Sequence, residues 1–207
     1  MLLPAMLQTL KQIGNERLQL PIFYECPYAL RFEIGTPSLM DRQTLYTPAA
    51  LMRTHSLYMS SATYDTLLWI HYCNPDTLTS QHTQELLARF CLLADLPEPI
   101  EIYQQETTDS DGAPLLRIFF LWDMRQTPPD INALLRGIIQ TDFMDFLELS
   151  SAVFFFDTTS HILLHLYDDR GMDIAAASIE SLRSLYEQFP NWLLAYDRQR
   201  MDTLFQD

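Results

Sequence analysis

An α+β fold, with a mixed, largely antiparallel sheet, hairpins and packed helices, is predicted by three features of this chain. Strand-like and helix-like apolar patterns interleave without the regular strand–helix alternation of a doubly wound sheet. Pairs of strand patterns are separated by short turn-forming stretches, Asp109-Ser110-Asp111-Gly112 and Asp157–Ser160. The composition, 48% hydrophobic and 19% charged over 207 residues, supplies a core and excludes intrinsic disorder.

The elements follow in order. Leu3, Leu7, Leu10 and Ile13 recur at helical spacing, with Pro4 in the first turn and Gly14-Asn15 as the stop. The first basic residue, Lys11, follows the apolar stretch, so an amphipathic helix is expected rather than a secretory leader. After Pro21 and Pro27 the chain alternates, Ala29, Arg31 and Glu33 on one face and Leu30, Phe32 and Ile34 on the other, which predicts a half-buried strand closed by Gly35. Thr47-Pro48 reads as an N-cap with proline at the first helical position, opening a helix to about Ser61 that turns Leu51, Leu57 and Tyr58 inward. Residues 66–73 form a strand ended by Asn74-Pro75, and Ser80 caps a helix with Leu86, Leu87, Phe90 and Leu93 on one stripe. Residues 100–107 and 115–122 form a hairpin around the acidic turn. Thr127-Pro128-Pro129-Asp130 opens a helix whose core stripe is Ile131, Leu134, Leu135 and Ile138. Residues 151–178 hold three short strands turning at Asp157–Ser160 and Asp168–Gly171. Ser178 caps the next helix, Pro190 breaks it, and a last helix from about Trp192 to Phe205 docks on the sheet. With no internal repeat or long linker, residues 1–207 are expected to form one domain, in halves of 1–125 and 126–207.

Charge and residue usage narrow the chemistry. Acids outnumber bases 27 to 13, a net charge of −14. Such a chain repels phosphate backbones, so direct nucleic-acid binding is not expected. No apolar run reaches the roughly 18 residues of a membrane helix. Cys26, Cys73 and Cys91, without CxxC spacing, read as reduced thiols of a cytoplasmic protein. Five scattered glycines write no nucleotide or phosphate loop, and the single lysine leaves Schiff-base chemistry without its usual residue. His161 and His165 share a strand face about 13 Å apart, too far for one ion. His71 and Cys73, roughly 7 Å apart on another strand, read as core residues before they read as a nucleophile–base pair. Asp109 and Asp111 precede Gly112 as turn residues and lack the rest of a calcium loop. Asp142 and Asp145 read as a solvated pair at a helix end or in a loop. No cofactor, metal or catalytic residue is expected, and the chain is not expected to be an enzyme.

The most distinctive residues lie near the C-terminus: Tyr167, Asp168, Asp169, Arg170 and Gly171, then Asp173, and further on Trp192, Tyr196, Asp197 and Arg198. Asp168–Gly171 has turn chemistry, with Gly171 able to take positive φ between two strands. Arg170 carries a planar fork for a carboxylate; Asp197 is the expected partner, with Trp192 and Tyr196 covering the pair from one helical face. The same residues also suit a ligand site. The two elements, YDDRG and WxxxYDR, resemble the C-terminal signature of a bacterial family known as a domain of unknown function. The likeness is clearest over 152–205, and residues 21–35 are similar to that family's N-terminal strand. The resemblance carries over no catalytic residue. Some members look like accessory proteins encoded beside polymorphic toxins, which implies an immunity role.

Two functions therefore stand side by side. In the first, the chain is a cytoplasmic protein-binding module, a monomer or weak homodimer, that neutralises a cognate toxin, with a basic nuclease matching its acidic surface. Glu106, Asp109 and Asp111, at the hairpin tip, are then the expected contacts. In the second, it is a small-molecule sensor or enzyme with a pocket around Asp168–Arg170, where arginine among carboxylates binds an anion or positions an acid–base group.

Overall fold

The computed structural model describes residues 1–36, 43–75, 80–108, 111–141, 149 and 152–206. Its strands are β1 (Ala29–Glu33), β2 (Thr66–Cys73), β3 (Glu101–Thr108), β4 (Pro114–Asp123), β5 (Val153–Asp157), β6 (Ile162–Leu166) and β7 (Gly171–Ala176). They form one seven-stranded sheet in the order β1-β7-β6-β5-β2-β4-β3. Every pairing between these strands is antiparallel. The helices are α1 (Leu2–Gln12), α2 (Ile22–Glu25), α3 (Gln43–Ser61), α4 (Ser80–Ala94), α5 (Ile131–Ile139), α6 (Glu180–Gln188) and α7 (Arg198–Leu204). The fold is α+β, as the interleaved patterns predict.

Side chains alternate between the two faces of the sheet, and helices cover both. On one face Phe90 of α4 stacks on Trp69 with ring centroids 4.4 Å apart, and Tyr58 of α3 meets Phe155 edge-on at 5.3 Å. Helix α5 packs against α3 and α4, and α6 against α3, β1 and β7. On the other face α1 lies against β4 and β5 and α2 against β1 and β7, while at the outer edge of β1 the Met201 sulfur of α7 accepts the Arg31 amide. This second layer corrects the expected half-buried first strand. Ala29, Leu30, Arg31 and Phe32 are all buried, because neither face of β1 meets water.

Helix boundaries follow local chemistry. The Asp130 carboxylate accepts the Ala133 amide at 2.9 Å and starts α5, whose Leu134, Leu135 and Ile138 are buried as the stripe requires. Helix α3 begins at Gln43, so Pro48 lies inside it rather than at its first position. Pro48 stands exposed in the second turn, and the helix continues past a residue that donates no backbone hydrogen bond. At α6 the cap position belongs to Ile179, and the Ser178 hydroxyl instead meets that of Ser181 at 3.0 Å. The expected last helix is shorter than its pattern. Leu193 bridges Phe32 as an added piece of strand, a 3-10 turn covers Ala195–Asp197, and α7 starts only at Arg198. Among the described residues no helix is long and apolar enough to cross a membrane. The expected Asp142 and Asp145 pair lies outside the described residues.

Candidate functional site

A file of residues crosses the second face of the sheet in register: Arg31, Asp173, His165, Phe154, Leu68, Leu121 and Glu101. Its apolar middle is ordinary core. Its two ends are charged and hold the covering layer in place.

At the first end Arg31 and Asp173 form a buried bidentate pair, Nε to Oδ1 at 2.7 Å and Nη2 to Oδ2 at 2.8 Å. Asp173 is wholly buried and also accepts the Phe23 amide at 3.1 Å, which fixes α2 on the sheet. Arg31 Nη1 lies 3.7 Å from the carboxylate of Asp197, which in turn accepts the Tyr24 hydroxyl at 2.9 Å. The rings of Phe23, Tyr24 and Tyr167 lie 5.0, 4.8 and 5.7 Å from the guanidinium carbon. Burial pushes the Asp173 carboxyl above its ordinary value, against the pull of the Arg31 guanidinium. Burial also works against the charge on Arg31, but the paired carboxylate outweighs it and holds the guanidinium protonated. His165, beside Asp173 in register, is buried with its ring stacked on Phe154 at 4.5 Å.

The signature residues occupy neighbouring positions, and their pairing differs from the one expected. Arg170 folds back onto Asp168: its amide meets Oδ1 and its Nε meets Oδ2, each at 2.8 Å, and Nη2 joins the same carboxylate. The Arg170 side chain is 73% exposed. Asp197 is engaged by Arg31 and Tyr24 instead. The backbone of the turn receives the end of β1, since the Arg170 carbonyl accepts the amides of Ile34 and Gly35. Tyr46 donates to the Asp169 carbonyl at 3.1 Å. Gly171 has no positive φ; a Cβ there would overlap the hydroxyl and ring of Tyr167, and this close approach is what requires glycine. Trp192 and Tyr196 share no helical face. Trp192 is half-buried, stacked on Phe189 at 4.7 Å, and its carbonyl accepts the Glu33 amide, whereas Tyr196 is 87% exposed. Arg198 bonds Asp202 and the Pro190 carbonyl. These contacts form a turn at 168–171 and a strap along the edge of β1.

Arg31 and Tyr24 were not singled out by sequence. The usable signal was a pair of opposite charges, Arg31 and Asp173, each flanked on both sides by apolar residues of its strand.

At the other end of the file the Glu101 carboxylate accepts the amides of Leu2 and Leu3 at 2.7 and 3.0 Å and caps α1. Strand β3 is the last of the sheet, and Ile100, Ile102 and Tyr103 beside and along it are 54%, 56% and 45% exposed. Glu106 and Asp111, two of the expected contacts, are exposed in this hairpin, and Asp109 lies outside the described residues. A groove of about 260 Å³ runs between α1 and this edge, lined by Leu3, Leu7, Leu18, Tyr103 and Phe119, with Arg17 and Glu16 at its rim. Among the described residues no cluster of three or more histidine, cysteine or acidic side chains is arranged to hold a metal ion.

A family model described as a domain of unknown function, DUF3885, matches residues 6–197. The uncharacterized protein YnaE of Bacillus subtilis (strain 168) is 39% identical over 44 residues, which is 21% of this chain and 21% of that protein. The likeness thus spans about a fifth of that relative. No solved structure matches.

Proposed function

The chain belongs to the DUF3885 family, and from that premise we propose that it is a cytoplasmic protein-binding module that neutralises a cognate bacterial toxin by direct contact, turning over no substrate. The observation that carries this reading is the exposed β3–β4 hairpin. It presents Tyr103 on one face and Ile102 with Glu106 on the other, both apolar residues exposed, and Asp111 exposed at the turn. The charge balance supports a basic partner. Among the described residues Asp65, Asp123, Asp157, Asp168, Asp169, Asp173 and Asp197 are buried, whereas Glu16, Glu25, Glu85, Glu98, Glu106 and Asp111 are among the acids that stand exposed, where they steer association. The signature resemblance, with members that look like immunity proteins, supports neutralisation as the purpose of binding. Asp168 and Arg170 bond each other in a local turn, which favours scaffolding there over a ligand pocket.

The test is co-expression with the product of the adjacent reading frame. Rescue of growth and a complex with purified protein are expected. Replacing Glu106 and Asp111 with glutamine and asparagine should slow association at low salt and flatten its salt dependence, with little change in thermal midpoint. No rescue and no complex, together with thermal stabilisation by a metabolite, would overturn the reading in favour of a sensor.

A further inference from the structure

We propose that the free edge of β3 receives an extended segment of a basic partner as an added strand, with alternate side chains of that segment entering the groove beside α1. The inference rests on the protein-binding reading and names the manner of contact. The two edges of the sheet are treated differently. Outside β1 the chain lays down its own cover: Leu193 bridges Phe32, the Glu33 amide donates to the Trp192 carbonyl at 2.7 Å, and the Leu194 amide donates to the Arg31 carbonyl at 2.9 Å. Strand β3 pairs with β4 alone among the described residues, in unbroken register from Glu101–Leu121 to Thr108–Pro114. An edge of eight residues without bulge or proline is a template for another strand.

Side chains at the edge fit that use. Tyr103, Gln105 and Phe119 lie on the face that carries α1 and line the groove with Leu3 and Leu7. A strand laid against β3 would send every second residue, spaced about 6.6 Å apart, to this face. The groove volume of about 260 Å³ falls below the range of drug-sized ligand pockets and suits one or two apolar side chains. On the opposite face Ile102 is 56% exposed and offers a second apolar contact.

Charge selects the occupant. Glu106 and Asp111 are exposed along the β3–β4 hairpin, while Glu16 at the groove stands beside Arg17. A second copy would bring another −14 and set the acidic residues of two β3 strands against each other. A segment with lysine or arginine between its apolar residues meets the same surface with opposite sign.

The experiment pans the full-length chain against a phage-displayed library of random linear peptides and synthesises an enriched member. Enriched sequences should alternate apolar with basic residues. The synthetic peptide should slow amide hydrogen exchange along Glu101–Thr108. The Leu7→Ser variant, altered at a half-exposed position, should keep its thermal midpoint and raise the peptide Kd roughly tenfold. Enrichment without alternation, protection confined to other elements, or no enrichment would overturn the proposal. So would a free chain that sediments as a dimer with β3 already protected. Toxin neutralisation with unchanged exchange in β3 would overturn this inference and leave the immunity reading standing. Peptide addition to β3 by a chain that neutralises no toxin would do the reverse.

Discussion

The Arg31 guanidinium faces two carboxylates at once, Asp173 at 2.7 Å and Asp197 at 3.7 Å, under a cover of aromatic rings. A planar fork meets that geometry; an ammonium point charge does not. Arg31→Ala is therefore expected to cost about 3–5 kcal/mol in chemical denaturation at neutral pH, with Arg31→Lys recovering only part. The loss should shrink as pH is lowered toward about 5, because an orphaned buried carboxyl takes up a proton. Arg170→Ala should cost less than Arg31→Ala, since the Arg170 guanidinium is mostly in water and the buried Asp168 carboxylate keeps the Arg170 amide as a hydrogen-bond donor. Equal losses at the two arginines would contradict these assignments. Gly171→Ala should also destabilise, and Tyr167→Phe should fail to rescue it, because the ring itself, and not the hydroxyl alone, occupies the space of a Cβ.

The segment after Pro190 acts as a strap. It hydrogen-bonds the outer edge of β1, buries Leu193 and Met201, and delivers Asp197 to Arg31. Deleting 190–207 should lower the thermal midpoint and produce concentration-dependent oligomers in size-exclusion chromatography, because it bares a second sheet edge. A truncated chain that stays monomeric at the full-length midpoint would refute the strap. The strands themselves were legible in sequence as short, largely apolar runs bounded by turn residues, among them Asp157–Ser160 and Asp168–Gly171. The faces were not. A helix layer on each side erases the polar face by which an exposed strand is recognised, so Arg31 read as solvent-facing. Trp192-Leu193-Leu194 is a short apolar run that fits helix and strand patterns alike, and only the free edge of β1 decides between them. Helix α2, four residues long, is too short to carry any periodicity. For the candidate site, the Asp-Asp-Arg-Gly turn was visible through its turn residues, whereas the partner of Asp197 depended on long-range pairing that local spacing does not encode.

Taken across the whole molecule, buried ionisable groups set a stability window in pH whose two limits have different origins. On the acid side, Asp123 lies below the ordinary carboxylate range, chiefly through the Arg125 hydrogen bond, and Asp202 does so through the Tyr186 hydroxyl and then Arg198. Their contribution is complete above the unfolded value near 4 and is lost as pH falls through the lowered native values. Asp173 runs the other way, because burial lifts it; acid relieves a cost at that position and softens the decline. On the alkaline side, burial pushes the phenols of Tyr46, Tyr58, Tyr64 and Tyr167 well above their ordinary range, and the thiols of Cys26 and Cys91 up to about 12 and about 11. A raised acid of this kind stabilises fully below its unfolded value, about 10 for a phenol. That stability is lost as pH rises through the native value. The net charge of −14 grows more negative over the same range, so self-repulsion adds to the loss. The expected result is an abrupt alkaline transition above about pH 10, in which phenolate absorbance and loss of far-ultraviolet circular dichroism coincide. Cys26, buried and protonated, should react with a thiol reagent only within that transition or in denaturant. Smooth ionisation of every tyrosine with the dichroism intact would show that the buried phenols reach water in the native state, and would remove the edge-on packing of Tyr58 against Phe155 beneath α3.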